Sequence, residues 1–429
     1  MAAAETAAQI STGPAARPAA GPAAGPAPVE FTAFHPAHKA NPYLNYQQVR
    51  ETRPLCPFML GDVPVTVLTR YADLETVLQS DDWVHGYDAD ISPFREGNAS
   101  APRSFLRMDP PDHTRLRGLV NKAFTPRIVN AMAPRIQAHA ERLVAEARTT
   151  GTLEVINGYA ALLASASLGK LLGVPDDVGA SLRGWALAIA RGTDPDNLLT
   201  EDELVARRTA TLDFQRYFQE LIAQRRAQPT DDLVSMLAAA RDRDDALSET
   251  ELLGVSSLMV VAGMETSINY IGSSVLTLLR HPDQLALLRA RPELLHSAVE
   301  EVLRYDPPTQ FTMRTACRQT ELAGRTFERG DGVLLVSAAA GRDPEAYPDP
   351  DRFDITRYHG PRPARRHLGF SVGIHFCLGA PLARIEAAAA IGALVHGTST
   401  LELAVDDADL VYLPSLIHRA LATLPIRVG

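Results

Sequence analysis

The sequence predicts a mainly α-helical fold with a minor β portion, built as one compact unit. Residues 111–305 have the apolar spacing of helices almost throughout. A β-rich patch follows, in which TELAGRTF and VLLVSA flank a turn at Gly330-Asp331-Gly332. An Ala-rich helix over residues 381–395 and a short meander complete the chain, and no internal repeat is visible, which favours a single domain.

The first part of the chain divides into a tail, two short elements and a loop. Residues 1–30 are rich in Ala, Pro and Gly and contain no apolar segment after a basic start, which predicts a disordered tail rather than a signal peptide. The segment PVTVLTRY alternates like a strand, ADLETVLQS behind it has helical spacing, and residues 82–104 have the composition of a long loop. The folded domain is therefore expected to span residues 31–429.

Composition and charge exclude several functional classes. The chain has 429 residues, 46% of them hydrophobic, and a net charge of −9, so binding to nucleic acid or to an anionic membrane is not its main task. Three widely spaced cysteines do not form a disulfide framework, which favours a reducing cytoplasm. The longest apolar run, residues 252–264, is shorter than a membrane span and contains two serines. We therefore expect a soluble, cytoplasmic protein.

The segment HLGFSVGIHFCLGAPLARIEAAAAIGALV carries the strongest motif. Its pattern F-x-x-G-x-H-x-C-x-G arises by chance on the order of once in a hundred thousand such chains, and is formed by Phe370, Gly373, His375, Cys377 and Gly379. A helix that begins near the cysteine would lower the pKa of the thiol, and the glycines would let backbone approach a flat macrocycle. Cys377 is therefore the candidate metal ligand; an inert buried thiol is the alternative.

This loop resembles the haem-binding signature of the cytochrome P450 family, and the order of elements matches that family over residues 42–429. The resemblance implies a single-domain cytochrome P450-like fold in which Cys377 binds the iron of haem b (iron protoporphyrin IX). The implied activity is that of a haem-thiolate monooxygenase, which inserts one oxygen atom from O₂ into an organic molecule by hydroxylation or epoxidation. One departure is Ser371, because the family usually has Gly at this position.

The apolar helix SSLMVVAGMETSINYIGSSVLTLL is interrupted by a small polar centre. Gly263 permits close contact with a planar ring, and Thr266 can bond back to a carbonyl and open a groove for water. Glu265 and Thr266 thus form a candidate proton relay, and in the family this acid–alcohol pair delivers protons to iron-bound dioxygen. A helix-bending pair without chemistry is the alternative.

A haem also brings two propionates, which need buried cations. His113 and Arg117 lie four residues apart on one helical face in DPPDHTRLRGL. By resemblance, Arg314 in QFTMRTA and His375 complete a set of four propionate contacts. Taken alone, each of these residues is more often a surface charge.

A second charged group is expected beneath the haem. Glu301 and Arg304 lie three residues apart in HSAVEEVLRYDPP and can pair on one helix face. The resemblance implies that Arg352 of PDPDRFD joins them in a buried network that needs every partner. A solvated surface pair is the alternative.

The expected partners are a lipophilic substrate, O₂ and separate electron donors. No flavin or iron–sulfur segment is fused to the chain, and the resemblance points to a ferredoxin and a ferredoxin reductase. Five arginines form a candidate docking patch for an acidic ferredoxin, with ordinary solvated arginines as the alternative; they are Arg115, Arg362, Arg365, Arg366 and Arg384.

By resemblance, the substrate pocket is lined by residues 83–105, by residues 183–218 and by a mainly apolar set of side chains, which predicts a lipophilic molecule such as a bacterial polyketide. That set is Val260, Val261, Thr309, Gln310, Phe311, Met313, Leu416 and Ile417.

Three other functions remain open from the sequence. A peroxide-using haem-thiolate enzyme would not need the Glu265–Thr266 relay. A non-catalytic haem sensor or carrier would not need the polar centre of the long helix. A hydrolase with Cys377 as nucleophile and His375 as base lacks an orienting third group, and residues two apart in a loop rarely reach each other well.

Overall fold

In a computed structural model of the chain, the described residues are 29–87, 89–94, 104–193, 199–242 and 245–429. The predicted tail lies outside these ranges, except for its last two residues. Val29 packs against an aromatic cluster that includes Phe31, and the carbonyl oxygen of Glu30 accepts a hydrogen bond from Asn45 Nδ2 (2.9 Å). Residues 29 and 30 therefore belong to the folded part of the chain rather than to a tail.

Helices make up most of the described chain, as the sequence predicts. They are Tyr43–Thr52 (α1), Tyr71–Gln79 (α2), Asp112–Ala123 (α3), Pro126–Thr150 (α4), Ala161–Leu172 (α5), Gly179–Ala190 (α6), Glu201–Ala227 (α7), Leu233–Ala239 (α8), Glu249–Arg280 (α9), Pro282–Ala290 (α10), Leu295–Tyr305 (α11), Ser337–Ala340 (α12) and Ala380–Gly397 (α13). The long helix α9 begins with a capping box, in which the hydroxyl of Ser248 and the carboxylate of Glu251 each accept the other residue's backbone N–H.

The strands form a five-stranded sheet, a three-stranded sheet and two small hairpins. They are Leu55–Leu60 (β1), Val63–Leu68 (β2), Trp83–Val84 (β3), Thr152–Glu154 (β4), Arg241–Asp242 (β5), Asp245–Ala246 (β6), Thr312–Ala316 (β7), Thr320–Leu322 (β8), Arg325–Phe327 (β9), Gly332–Leu335 (β10), Leu401–Leu403 (β11) and Pro425–Val428 (β12). The larger sheet has the order β1-β2-β10-β7-β3, with β10 parallel to β2 and the other pairs antiparallel.

Two predicted elements near the N-terminus are shorter than expected. The strand predicted over residues 64–71 ends at Leu68, and Tyr71 begins α2 because the carboxylate of Asp343 accepts its backbone N–H (2.7 Å). The predicted loop over residues 82–104 contains β3, which pairs with β7. Residues 88 and 95–103 of that loop lie outside the described part of the chain.

Helix α9 crosses the core, and α13 packs against α4, α9 and α11. This packing fixes the cysteine loop, because α13 follows it directly. Within the described ranges, α9 is also long and apolar enough to cross a membrane, although the sequence predicted no such segment. Because 56% of its most apolar window is buried inside the protein, the pattern is that of a core helix.

Candidate haem site

The cysteine loop ends at helix α13, which begins three residues after Cys377. The backbone N–H of Cys377 donates to the carbonyl oxygen of Phe370 (3.0 Å) and closes the loop. Burial raises the pKa of the Cys377 thiol, and the N–H groups of Gly379 and Ala380, which lower it, do not compensate. The prediction that the helix start lowers this pKa is therefore wrong for the protein without a bound metal. A metal cation at the sulfur would be needed to stabilise the thiolate form.

The two glycines of the motif differ in their contacts within the protein. Gly373 has a φ of 73°, and a Cβ atom there would lie 2.3 Å from the carbonyl oxygen of Leu78 in α2. The packing of the loop on α2 therefore requires a glycine at this position, independently of the predicted approach of a macrocycle. A Cβ atom at Gly379 would lie 3.9 Å from the sulfur of Cys377, which is an ordinary contact. Ser371 has a φ of 59°, in the left-handed region that favours glycine.

The structure brings the four predicted cationic residues together beside one cavity, called here the central cavity, whose lining includes Cys377. Arg117, Arg314 and His375 line the cavity, and the ring of His113 packs on that of His375 with 4.3 Å between centroids. Nη2 of Arg117 donates to the carbonyl oxygen of Phe376 (2.6 Å), the residue before the cysteine.

Among the described residues, no carboxylate forms an ion pair with this cationic cluster, which consists of His113, Arg117, Arg314 and His375. His113 is 3% exposed, and neither of its ring nitrogens has a hydrogen-bond partner among the described residues. Burial, together with the nearby Arg314, lowers the pKa of His375 to about 3, and burial lowers the pKa of Arg314 to about 10. Buried donors without acceptors are costly, so the cluster fits an anionic group such as the two carboxylates of a haem.

A third imidazole belongs to the same place and was missed from the sequence. The ring of His85 lies edge-on to that of His375, with 4.6 Å between centroids, and it lines the central cavity. Its backbone N–H donates to the Asp109 carboxylate (2.8 Å), which anchors the loop that carries it. No motif surrounds His85 in the sequence, so only the pairing of β3 with β7 shows that it comes close to the cluster.

Helix α9 supplies another wall of the central cavity. The hydroxyl of Thr266 donates to the carbonyl oxygen of Ala262, as predicted, and both residues line the cavity. The helix remains continuous from residue 249 to residue 280, so the polar centre does not break it. Gly263 also lines the cavity, but its missing Cβ leaves room for Leu168 of α5 (3.1 Å). Glu265 is half-buried and is not among the described residues that line the cavity.

A different carboxyl group does line the central cavity. Glu386 of α13 is 2% exposed, and its Oε2 accepts a hydrogen bond from Ser267 Oγ (2.7 Å). Sequence reasoning missed both residues. The signal was a single acid within the apolar run IEAAAAIGALV, where a charge is costly unless the fold uses it.

The charged network beneath the cysteine loop is present, with one member corrected. Glu301 and Arg304 are fully buried and make two hydrogen bonds of 2.8 Å. The side chain of Arg352 is 65% exposed, and only its carbonyl oxygen accepts from Arg304 (3.1 Å). The third cation is Arg357, which is 10% exposed and donates to Glu301 Oε1 (3.2 Å). The prediction of Arg352 is therefore wrong, because the chain turns the later arginine inward.

The predicted pocket walls are partly correct. Thr309, Phe311 and Phe105 line the central cavity. The wall from α9 consists of Leu258, Met259 and Ala262, since Val260 points into the core. Several predicted residues are not among the lining residues of the described chain; they are Val260, Val261, Gln310, Met313, Leu416, Ile417 and the described part of residues 183–218.

The five arginines of the predicted docking patch divide into two groups. Arg115 pairs with Glu251, and Arg384 makes two hydrogen bonds to Glu300 (2.6 and 2.9 Å), so these two charges are neutralised. The exposed members belong to the segment GPRPARRHLG before the cysteine loop; they are Arg362, Arg365 and Arg366.

Comparison with known proteins gives the family. A family model described as "Cytochrome P450" matches residues 201–400. The vitamin D(3) 25-hydroxylase of Pseudonocardia autotrophica is 38% identical over 395 residues, which are 91% of this chain and 94% of that protein. Cytochrome P450 monooxygenase PikC of Streptomyces venezuelae is 38% identical over 394 residues, 90% of this chain and 91% of that protein. The solved structure of the bacillaene polyketide synthase cytochrome P450 PksS of Bacillus subtilis 168 is 32% identical, with a TM-score of 0.84 and coverage of 93% of this chain and 100% of that chain.

The fold and the site therefore define a haem enzyme of the oxidoreductase class, a monooxygenase that acts on lipophilic small molecules. The chain belongs to the cytochrome P450 family. The fold class predicted from the sequence is confirmed, and so is the monooxygenase activity, whereas the carrier and hydrolase alternatives do not match these relatives.

Proposed function

We propose that Cys377 Sγ ligates the iron of haem b and that His113, Arg117, Arg314 and His375 hold the haem propionates. The observation that carries this proposal is the buried His113, whose ring nitrogens have no hydrogen-bond partner among the described residues and which lies beside a cavity lined by Cys377. His85 adds a third imidazole to the same anion site. One flat cofactor could thus place its two carboxylates at these nitrogen donors and its metal at the sulfur of Cys377.

When bound, the haem supplies an iron that activates O₂ with two electrons, and thiolate ligation favours cleavage of the O–O bond. The residues of the chain tune the sulfur and deliver protons. The N–H groups of Gly379 and Ala380 donate toward the sulfur and moderate its electron donation. Thr266 holds a hydroxyl at the cavity wall, and Glu265 next to it passes protons to that hydroxyl.

The ligand assignment is tested by replacing Cys377 with His and recording the carbonyl adduct of the reduced protein. The wild-type protein should show the red-displaced Soret band of a thiolate ligand, and Cys377→His should lose it. Cys317→Ser is the matched control, because Cys317 is partly exposed and its sulfur lies near the carbonyl oxygen of Asp81 (3.4 Å). A red-displaced band that persists in Cys377→His would remove the assignment.

The Thr266 hydroxyl separates the O₂-dependent reaction from a peroxide-using one. Thr266→Ala should leave haem binding intact and lower the ratio of product formed to NADH consumed, because protons no longer reach the cavity at this point. Ser273→Ala is the control on the same helix, since the Ser273 hydroxyl also bonds to a helix carbonyl but does not line the cavity. An unchanged ratio in Thr266→Ala would favour the peroxide-using enzyme.

The substrate is proposed to be a lipophilic natural product of moderate to large size, such as a polyketide, which undergoes hydroxylation or epoxidation. The apolar walls formed by Leu258, Met259, Phe105 and Phe311 support this, as does the likeness to PksS. Screening the holoprotein against polyketides and fatty acids for the spectral shift that follows loss of the distal water tests it. A preference for small polar compounds would contradict the proposal.

Electrons are proposed to come from a ferredoxin and its reductase in the cytoplasm, where the three unpaired cysteines of the chain are stable. The exposed Arg365 and Arg366 would attract an acidic ferredoxin. Reversing both charges to Glu should raise the apparent KM for ferredoxin and flatten its dependence on salt. Arg148→Glu, an exposed change on α4, is the control. Equal effects of the two variants would exclude a specific patch.

A further inference from the structure

A second cavity, called here the outer cavity, lies between α4, α5 and α8. Its volume is about 620 Å³, larger than the 320 Å³ of the central cavity. Sites for small molecules typically have volumes of roughly 300–1,000 Å³. The outer cavity is therefore large enough for an organic ligand.

Helix α4 presents two parallel rows of side chains to the outer cavity. The apolar row consists of Ile128, Met132 and Ile136, and the basic row consists of Arg127, Arg135 and His139. Members of each row are separated by four or eight positions, so each row follows the helix axis along one face. The apolar row extends over about 12 Å of the axis. An elongated ligand that lies along α4 would thus contact both rows.

The other two helices add apolar walls. Leu171 of α5 and Met236 of α8 line the outer cavity opposite the apolar row of α4. Methionine side chains are unbranched and adapt their shape to a neighbour, and the cavity contains two of them, Met132 and Met236. These walls suit a flexible alkyl chain better than a polar ligand.

The basic side chains of the outer cavity stand out in a protein whose net charge is −9. Arg127 and Lys170 are exposed and form no ion pair with the described residues. Arg135 lies 3.9 Å from the carboxylate of Asp176, and both side chains are exposed, so this pair is weak. Burial lowers the pKa of His139, so its imidazole is neutral at neutral pH and adds a hydrogen-bonding group rather than a charge.

Two carboxylates line the same cavity but do not cancel these charges. Asp232 is 5% exposed, and its carboxylate pairs with Arg225 of α7 and accepts the backbone N–H of Ser235 (2.7 Å). Its charge is therefore neutralised within the fold. Asp231 is exposed and leaves a single carboxylate against three cations. The outer cavity thus has a net positive charge beside apolar walls.

Helix α5 is the partition between the two cavities. Lys170 lines the outer cavity, Leu168 lines the central cavity, and Leu171 lines both. Because protein interiors are close-packed, a ligand that fills the outer cavity presses Leu171 toward the central cavity. Occupation of one cavity should therefore reduce the space in the other.

From these contacts we infer that the outer cavity binds an amphipathic carboxylate, of which a medium-chain fatty acid is the simplest form, and that the bound ligand acts on the central cavity through α5. The alkyl chain lies along the apolar row, and the carboxylate lies among the basic side chains. The inference goes beyond the proposed function, because none of the residues proposed to hold the haem or to deliver protons is among the described lining residues of the outer cavity.

The first experiment measures binding of dodecanoate by calorimetry. The holoprotein is first saturated with 4-phenylimidazole, which ligates the haem iron and fills the central cavity. The wild-type protein should then bind one dodecanoate, and Arg127→Ala combined with Lys170→Ala should weaken this binding by about tenfold, because two charges that face the carboxylate are removed. Arg148→Ala is the matched control, since Arg148 is exposed on α4 but does not line the cavity.

Two further arms separate the head group from the chain. Dodecanol should bind more weakly than dodecanoate, and acetate should not bind. Ala131→Trp fills the outer cavity and should abolish binding of dodecanoate, whereas Ala145→Trp, an exposed change elsewhere on α4, should not. Absence of binding to the wild-type protein, or equal affinities in the double variant and Arg148→Ala, would overturn the inference.

The second experiment tests the action on the central cavity. Dodecanoate is added at a concentration that fills the outer cavity of the wild-type protein and leaves most of the double variant empty. The affinity for 4-phenylimidazole, followed by the haem spectrum, should fall by about fivefold more in the wild-type protein than in the double variant. Direct competition inside the central cavity is the same in both proteins, so the difference isolates the coupling. Equal losses in the two proteins would show that α5 transmits nothing.

Discussion

Two buried charged clusters of this protein are built in opposite ways. In the network beneath the cysteine loop, Glu301 accepts hydrogen bonds from Arg304, Arg357 and the backbone N–H of Asp354, so its charge is neutralised within the protein. In the cationic cluster beside the central cavity, the nitrogens of His113 have no partner among the described residues. One cluster is complete without a ligand, and the other is not.

The difference separates residues that hold the fold from residues that hold a ligand. A buried ion pair with every hydrogen bond satisfied gives structure, because removing one partner leaves the other charged and unpaired. Buried arginines and neutral imidazoles whose polar atoms lack partners destabilise the protein until an anion binds to them, and this cost is recovered on binding. Mutations in the first cluster should therefore lower stability, and mutations in the second should lower haem affinity.

The largest expected effect is that of Arg304→Ala. Removal of this side chain leaves the fully buried Glu301 with a reduced set of partners, which should lower the free energy of unfolding by about 3–5 kcal/mol. The measurement is urea unfolding of the holoprotein followed by far-ultraviolet circular dichroism. Arg352→Ala is the control and should change stability by less than about 0.5 kcal/mol, because its side chain is exposed. Equal losses in both variants would show that Arg352 belongs to the network.

The next largest effect is a loss of stability at acidic pH, and it tests a second buried charge pairing, that of Glu300. Burial raises the pKa of the Glu300 carboxyl, but hydrogen bonds from Arg384 and His367 outweigh burial and hold this pKa at about 2. Because the pKa is lower in the folded than in the unfolded state, the stabilisation is present at neutral pH and is lost as pH falls from about 4.5 toward 2. The stabilisation that this pKa shift contributes at neutral pH is about 3 kcal/mol.

Glu300→Gln should therefore be less stable than the wild-type protein at pH 7, and the two unfolding free energies should converge as pH approaches 2. Urea unfolding at a series of pH values measures this. Glu293→Gln is the control, because Glu293 is exposed and pairs with Arg291 at the surface. Parallel curves for wild-type and Glu300→Gln across the acid range would contradict the assigned cause of the pKa shift.

In the cationic cluster, a substitution should lower haem affinity and leave the stability of the apoprotein nearly unchanged. Arg314→Ala should lower the affinity of the apoprotein for hemin by roughly 10- to 100-fold, the loss of one charge-assisted hydrogen bond. Its effect on the stability of the apoprotein should be small, because Arg314 pairs mainly with the carbonyl oxygen of Met313 (2.7 Å). Hemin titration followed by absorbance measures the first quantity and urea unfolding the second. A large loss of apoprotein stability with unchanged hemin affinity would place Arg314 among the structural charges.

The same contrast shows what the sequence could predict. The cysteine loop was predictable because its residues lie within ten positions of each other and their spacing is set by one turn. The pair Glu301–Arg304 was predictable because both residues share one helix face. Arg352 and Arg357 are only five positions apart in a segment without regular structure, where periodicity does not tell which side chain points inward.

Other residues of the site depend on packing between distant elements. His85 meets His375 because β3 joins the edge of the larger sheet, and Glu386 meets Ser267 because α13 crosses α9. A sequence contains each residue but not this pairing of elements. The apolar surroundings of Glu386 gave a warning that was missed, since a single acid in an Ala-rich helix needs a partner.

The smallest expected effect concerns the backbone of the cysteine loop. Ser371 holds a left-handed φ of 59°, which costs a residue with a Cβ roughly 1–2 kcal/mol. Ser371→Gly relieves this cost and loses part of the gain, roughly 0.5–1 kcal/mol, to the greater freedom of the unfolded chain. The variant should therefore be more stable by about 0.5–1 kcal/mol in urea unfolding. Ser371→Ala keeps the Cβ and should show no gain, and a gain of equal size in Ser371→Ala would mean that the serine hydroxyl, rather than the backbone conformation, carries the cost.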